Sequence, residues 1–150
     1  MLIFKISGLI IVFAVSCLFG FYKSLGLKIK ADRIYSLVRS LEKMAEHIRL
    51  GNLEILLLIE KCFDKELVFV KQNKICVNKE ILDEESIKIT EEFFSSIGTG
   101  DKKAESDRTT VYKNMLEKEY NDAYKVYKEQ GRLYNTLGVL GGLFLILFLV

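Results

Sequence analysis

The sequence predicts an all-α fold: a small cytoplasmic helical bundle over residues 23–132, flanked by an N-terminal transmembrane helix at 1–22 and a C-terminal one at 133–150. Three observations carry this. Residues 6–22 and 133–150 are apolar runs without a charged side chain. All twenty acidic residues, and all but one of the twenty-two basic ones, lie between them. Proline is absent and glycine is sparse in the middle, so little forces the chain out of long helices.

Each apolar run has about the length needed to cross hydrocarbon, roughly twenty helical residues at about 1.5 Å each. Tyr22 and Tyr134 stand at their inner ends, where an amphipathic ring suits the membrane interface. Lys23, Lys28, Lys30 and Arg33 follow the first run, and Lys125, Lys128 and Arg132 precede the second. The positive-inside rule therefore puts the middle segment in the cytoplasm and both ends outside. A rival reading takes Ala14-Val15-Ser16-Cys17 as a lipoprotein signal, with Cys17 lipidated on the outer face. Against it, the positive charges fall after the cysteine, the apolar run continues past it, and Ala14 stands where a branched aliphatic is usual. Gly138 and Gly142 form a small-xxx-small pair in the second run, and Ser16 and Gly20 have the same spacing in the first. Such pairs let helix backbones approach closely, so these four are the candidate packing residues, within a hairpin or between subunits of a homo-oligomer.

Between the runs, Ile34, Leu37, Val38, Leu41, Met44, Ala45 and Ile48 recur at three-and-four spacing. This predicts an amphipathic helix continuing from the first membrane helix until Gly51-Asn52 breaks it. Asn52 is a suitable cap for a second helix over 53–63. Residues 65–77 admit two readings. Leu67-Val68-Phe69-Val70 and Ile75-Cys76-Val77 fit a strand pair around Gln72-Asn73, while helical neighbours on both sides favour short helices. Residues 84–97 read as a helix with acidic residues in its first turn and Gly98 as its stop. After the Gly98-Thr99-Gly100-Asp101 turn, Asp101 can cap a last helix from about 103 to 132, with no breaker before the final apolar run. Tyr112, Tyr120, Tyr124 and Tyr127 line this helix, and the simplest expectation is a core stripe.

Nothing in the chain has the pattern of an active site. There is one histidine, His47; the three cysteines, Cys17, Cys62 and Cys76, have unrelated spacings and read as small buried apolar residues; no glycine-rich phosphate loop occurs. We expect no enzyme activity, no cofactor and no metal. A net charge of +2 without a dense basic block argues against nucleic acid as a partner.

The stretch 131–142, Gly-Arg-Leu-Tyr-Asn-Thr-Leu-Gly-Val-Leu-Gly-Gly, closely resembles the terminal segment of the stage III sporulation protein AB family, a Tyr-x-x-Leu-Gly-x-Leu-x-Gly pattern followed by aliphatics. Tyr134, Leu137, Gly138, Leu140 and Gly142 match it position by position. The family's turn of Gly, Asp and then Gln four residues later is similar to Gly98, Asp101 and Glu105, with glutamate as a departure. A Thr-Pro-Leu turn of the family is replaced by Gly51-Asn52-Leu53. The resemblance implies a membrane component of a secretion-like channel between mother cell and forespore, in the mother-cell membrane around the forespore. It also implies a bundle similar to the cytoplasmic domains of the inner-membrane protein F of type II secretion systems. By that analogy the partners are the ATPase stage III sporulation protein AA, other stage III sporulation channel proteins and the lipid bilayer. The protein would be a docking platform, with Gly98 and Asp101 in the candidate contact loop. A holin-like membrane-active protein is a further alternative, disfavoured by the long charged middle.

Overall fold

The computed structural model describes residues 2–51, 54–72 and 74–149, the side chains from residue 6 onward. Its elements in order are helix α1 (Leu2–Leu50), helix α2 (Ile55–Cys62), strands β1 (Val68–Lys71) and β2 (Lys74–Val77), helix α3 (Glu84–Ser96), helix α4 (Lys102–Val126), a π turn (Tyr127–Gly131) and helix α5 (Arg132–Leu149). The chain is mostly helical. It divides into two compact units, one formed by residues 1–29 with 123–150, the other by 30–122.

In the first unit, the helical stretches that include the two apolar runs are long and apolar enough to cross a membrane. Only 6% and 11% of their most apolar windows are buried within the chain. A core helix of a soluble protein would be mostly covered by its own chain, whereas outward apolar side chains on a hydrogen-bonded backbone suit hydrocarbon. The π turn interrupts the expected single helix just before α5. One wider turn there changes the phase of the helix and places Gly131 on its buried side.

The second unit has one hydrophobic core. Leu37, Val38, Leu41 and Met44 of α1 meet Leu58, Ile59 and Cys62 of α2, Ile89 and Phe93 of α3, and Leu116 of α4. The α1 residues are those that the three-and-four spacing selects, and the helix runs without a break from the apolar segment to Leu50. It ends at Gly51, whose φ of +76° lies in the left-handed region that lacks a penalty only for glycine. Asn52, expected as the next cap, lies outside the described residues; α2 starts at Ile55 behind Glu54.

Residues 68–77 correct the expectation of short helices there, within a chain that is otherwise mostly helical. β1 and β2 pair antiparallel, with Val68 opposite Val77 and Lys71 opposite Lys74, which leaves two residues to connect them. Gln72 has a φ of +51°. Val-Phe-Val facing Ile-Cys-Val is a β-branched and aromatic pairing suited to a pleated, half-buried surface. Leu67 and Val68 are buried in the core, which supplies the tertiary support that local pattern left open. The base of the hairpin is clamped at Asn78: its amide N–H donates to Leu67 O (2.9 Å) and its side-chain Nδ2 to Glu66 O (3.0 Å). Arg33 of α1 donates to Ile81 O at 2.9 Å and fixes the segment that leads into α3.

The tyrosine series splits. Tyr112 and Tyr120 pack against the core, with the Tyr120 ring tilted against Tyr35 at 5.0 Å and Tyr112 meeting Phe93 edge-on at 5.6 Å. Tyr124 is exposed and Tyr127 lies beside Gly131, so the stripe is not a single core seam. Of the cysteines, Cys62 is buried, while Cys17 and Cys76 are half-buried.

Candidate functional site

Two places concentrate the unusual chemistry. The first is the contact between the first and last helices of the membrane-type unit. The Ser16 hydroxyl donates to Gly138 O at 2.8 Å, an interhelical bond that also occupies a serine otherwise exposed to an apolar surround. A Cβ added at Gly20 would lie 2.5 Å from Tyr134 O and 3.2 Å from Gly138 Cα. One added at Gly138 would meet Ser16 O at 3.0 Å, and one at Gly142 the Phe13 ring at 2.7 Å. Ser16, Gly20 and Gly138 therefore meet backbone against backbone, and Gly142 packs on the side chains of Phe13 and Ser16. Sequence reading missed the continuation of this seam: buried Ser24 stands against Gly131, where an added Cβ would come within 2.8 Å of its Oγ. The missed signal was the four-residue spacing Ser16, Gly20, Ser24. Gly131 needed the π turn to reach the same face.

The second place is the turn between α3 and α4. Gly98 has a φ of +88°, and Gly98, Thr99, Gly100 and Asp101 are all exposed. Asp101 caps α4: its Oδ1 accepts from Ala104 N at 2.8 Å and its carbonyl from Glu105 N at 2.9 Å. That is the standard side-chain answer to unpaired amides at a helix start.

Beneath the turn lies Glu105, only 6% exposed. Its Oε1 accepts from Thr99 N (3.0 Å), Gly100 N (2.8 Å) and Arg108 Nη1 (3.1 Å). Arg108 Nη1 also donates to Thr99 Oγ1 at 2.9 Å and to Ser96 O. The guanidinium thus ties the end of α3 to the start of α4, and the carboxylate, in the first turn of α4, sits where the helix dipole favours negative charge. Glu105 Oε2, by contrast, is buried with no hydrogen-bond partner among the described residues. Such an orphan costs about 1–3 kcal/mol, more when the group is charged. Sequence reading noted Glu105 only as a departure from a family pattern and did not single out Arg108. The spacing of a carboxylate four residues after a cap, with arginine three further on, was the signal.

These features hold a rigid, solvent-facing turn; they do not assemble a nucleophile with a base. No group of three or more His, Cys, Asp or Glu side chains suited to a metal ion occurs among the described residues. Away from the turn, burial pushes the Cys62 thiol up, partly offset by Lys43 and Lys61. Cys17, the residue of the lipoprotein alternative, lies inside the uninterrupted α1 and half-buried, and no finding favours its lipidation.

Comparison with curated proteins and with solved structures finds no match. The family model described as stage III sporulation protein AB matches residues 64–150, a span holding β1, β2, α3, the Gly98–Asp101 turn, α4 and the whole of α5. That is more than half of the chain and includes the turn between α3 and α4 and the α5 side of the seam, so the chain belongs to the stage III sporulation protein AB family, a family of sporulation proteins.

Proposed function

We propose that this protein is a non-enzymatic membrane component of the sporulation channel between mother cell and forespore, and that it docks the cytoplasmic ATPase stage III sporulation protein AA. The membrane in this reading is the mother-cell membrane around the forespore, with residues 23–132 on the cytoplasmic side. The observation that carries the reading is the family match over 64–150, which includes the apolar α5. Three further features support it. The membrane-type unit is closed by a tight small-residue seam, which suits a structural anchor. The polar unit presents an exposed turn at 98–101 held by Asp101, Glu105 and Arg108, which suits a fixed contact. The chemistry of the turn is that of binding, without a reacting constellation. A kinship between the polar unit and the cytoplasmic domains of type II secretion protein F belongs to the same proposal; it rests on the family resemblance and helical content, and fold likeness alone would not transfer function.

The test is a clean deletion in the native organism, complemented with a chain carrying a photo-crosslinking residue at Thr99. The expected result is loss of heat-resistant spores with arrest after engulfment, rescue by the complementing chain, and a crosslink to the ATPase. Normal spores in the deletion strain, or rescue without any crosslink from 99 or its neighbours to the ATPase, would overturn the reading in its first or second half respectively.

A further inference from the structure

Charge is divided unevenly between the two units. Residues 1–29 and 123–150 hold six basic side chains against one acidic, a net charge of +5, while residues 30–122 hold sixteen against nineteen, a net −3. Five of those six cations stand at the polar end of the membrane-type unit: Lys23 and Lys28 on α1, Lys125 on α4, Lys128 in the π turn and Arg132 on α5. All five are exposed, and none forms an ion pair among the described residues. Glu129 is the single acidic residue among them.

The seam brings the cations of the two helices to one level. An added Cβ at Gly20 would meet Tyr134 O, and one at Gly131 the Ser24 Oγ, so residues 20–24 run alongside residues 131–134. Lys23 and Arg132 fall inside those spans. At about 1.5 Å per residue, Lys28 stands about 6 Å beyond Ser24, and Lys125 about 9 Å beyond Gly131 in the same direction. The five cations thus form a band about 10 Å tall, which overlaps the headgroup layer of roughly 5–7 Å on one face of a bilayer. Exposed Tyr22 and Tyr134 mark its apolar edge. Helical side chains lean toward their helix N-terminus, and α1 leaves the apolar zone where α5 enters it. Lys23 therefore leans back toward the bilayer, its Nζ 5.8 Å from the centre of the exposed Phe19 ring, while Arg132 leans the other way. Positive charge reaches the headgroup level from both sides. Like charges so close repel one another, and an anion among them relieves that repulsion. A zwitterionic headgroup brings its own ammonium with its phosphate, so only a headgroup of net negative charge offsets the surplus.

We propose that this band is a binding surface for phospholipids of net negative charge, whose phosphates bridge the cations of the two helices. The proposal rests on the reading of the two apolar helices as membrane-spanning. The full chain is reconstituted in phosphatidylcholine vesicles, and electron spin resonance with trace spin-labelled phosphatidylglycerol or phosphatidylcholine measures which lipid the protein surface holds. At low salt phosphatidylglycerol should associate about fivefold more strongly, the effect of one well-placed cation. High salt, which shortens the Debye length to about 3 Å at 1 M, should reduce the preference to about twofold or less. K125Q/K128Q leaves Lys23, Lys28 and Arg132 to hold the topology and should lower the preference to about twofold, while K71Q/K74Q in the polar unit should leave it unchanged. Equal association of the two lipids at low salt would overturn the proposal and leave the band to an acidic segment of another protein. A preference that neither salt nor K125Q/K128Q lowers would also overturn it. Flotation separates the band from the membrane reading. A chain that floats with the neutral vesicles yet shows no preference sinks the band alone, and one that alkaline carbonate strips from them sinks both.

Discussion

The seam between the first and last helices can be tested by replacing Gly20 with alanine and comparing it with Gly26→Ala. Both glycines lie inside α1, so both substitutions bring the same gain in helix propensity, about 1 kcal/mol by soluble scales, and it cancels in the comparison. Their surroundings differ completely. A Cβ at Gly26 meets nothing within 4 Å, whereas one at Gly20 would sit 2.5 Å from Tyr134 O and 3.2 Å from Gly138 Cα. Both of those atoms are backbone and cannot swing aside, so the helices must part. Forced overpacking costs about 1–3 kcal/mol. Parting would also stretch the Ser16–Gly138 hydrogen bond, an interhelical contact of about 0.6–1.7 kcal/mol. Gly20→Ala should therefore be less stable than Gly26→Ala by about 2–5 kcal/mol. The assay is a sodium dodecyl sulfate titration of the detergent-solubilised chain in a cysteine-free background, read as loss of energy transfer between labels at positions 10 and 145, both exposed. Gly141→Ala is an internal control, since its Cβ would meet only Ser16 Oγ at 3.5 Å, ordinary contact. Midpoints for Gly20→Ala and Gly26→Ala that agree within about 0.5 kcal/mol would refute the close backbone approach.

Two further outcomes follow from local geometry. Asp101→Ala removes the acceptor of the Ala104 amide and should cost about 1 kcal/mol in denaturant unfolding, with faster hydrogen exchange at Ala104; Asp101→Asn should recover most of it, and an alanine variant as stable as the parent would show that the cap contributes nothing. For the cysteines of the polar unit, N-ethylmaleimide at pH 8 should modify half-buried Cys76 well before buried Cys62. Desolvation raises the Cys62 pKa above its ordinary value, so less thiolate is present at a given pH and its modification should keep accelerating as the pH rises from 7 to 9; a rate independent of pH over that range would contradict that environment.

The sequence by itself determined the features that depend on neighbours along the chain. Uncharged runs at 6–22 and 133–150, the three-and-four apolar spacing after Ile34, the breaks at Gly51 and Gly98 and the cap at Asp101 are all local, and each has its expected form. The four small residues Ser16, Gly20, Gly138 and Gly142 were visible as spacing, since close helix approach requires small side chains at four-residue intervals. Only the tertiary structure decided what depends on distant groups. Residues 68–77 have β-type composition but helical neighbours, and the balance was set by burial of Leu67 and Val68 and by the Asn78 clamp on Leu67 and Glu66. Helical period gives the angle of each tyrosine around α4 but not what covers it, so Tyr112 is packed and Tyr124 is exposed. The π turn that brings Gly131 to Ser24 leaves no mark in a hydropathy pattern, because a one-residue phase shift is selected by the helix opposite. Glu105 has the same reason in its sharpest form. A glutamate in the first turn of a charged helix reads as solvated, and only the fold of the 96–101 turn over it buries the carboxylate and engages one oxygen with the Thr99 and Gly100 amides.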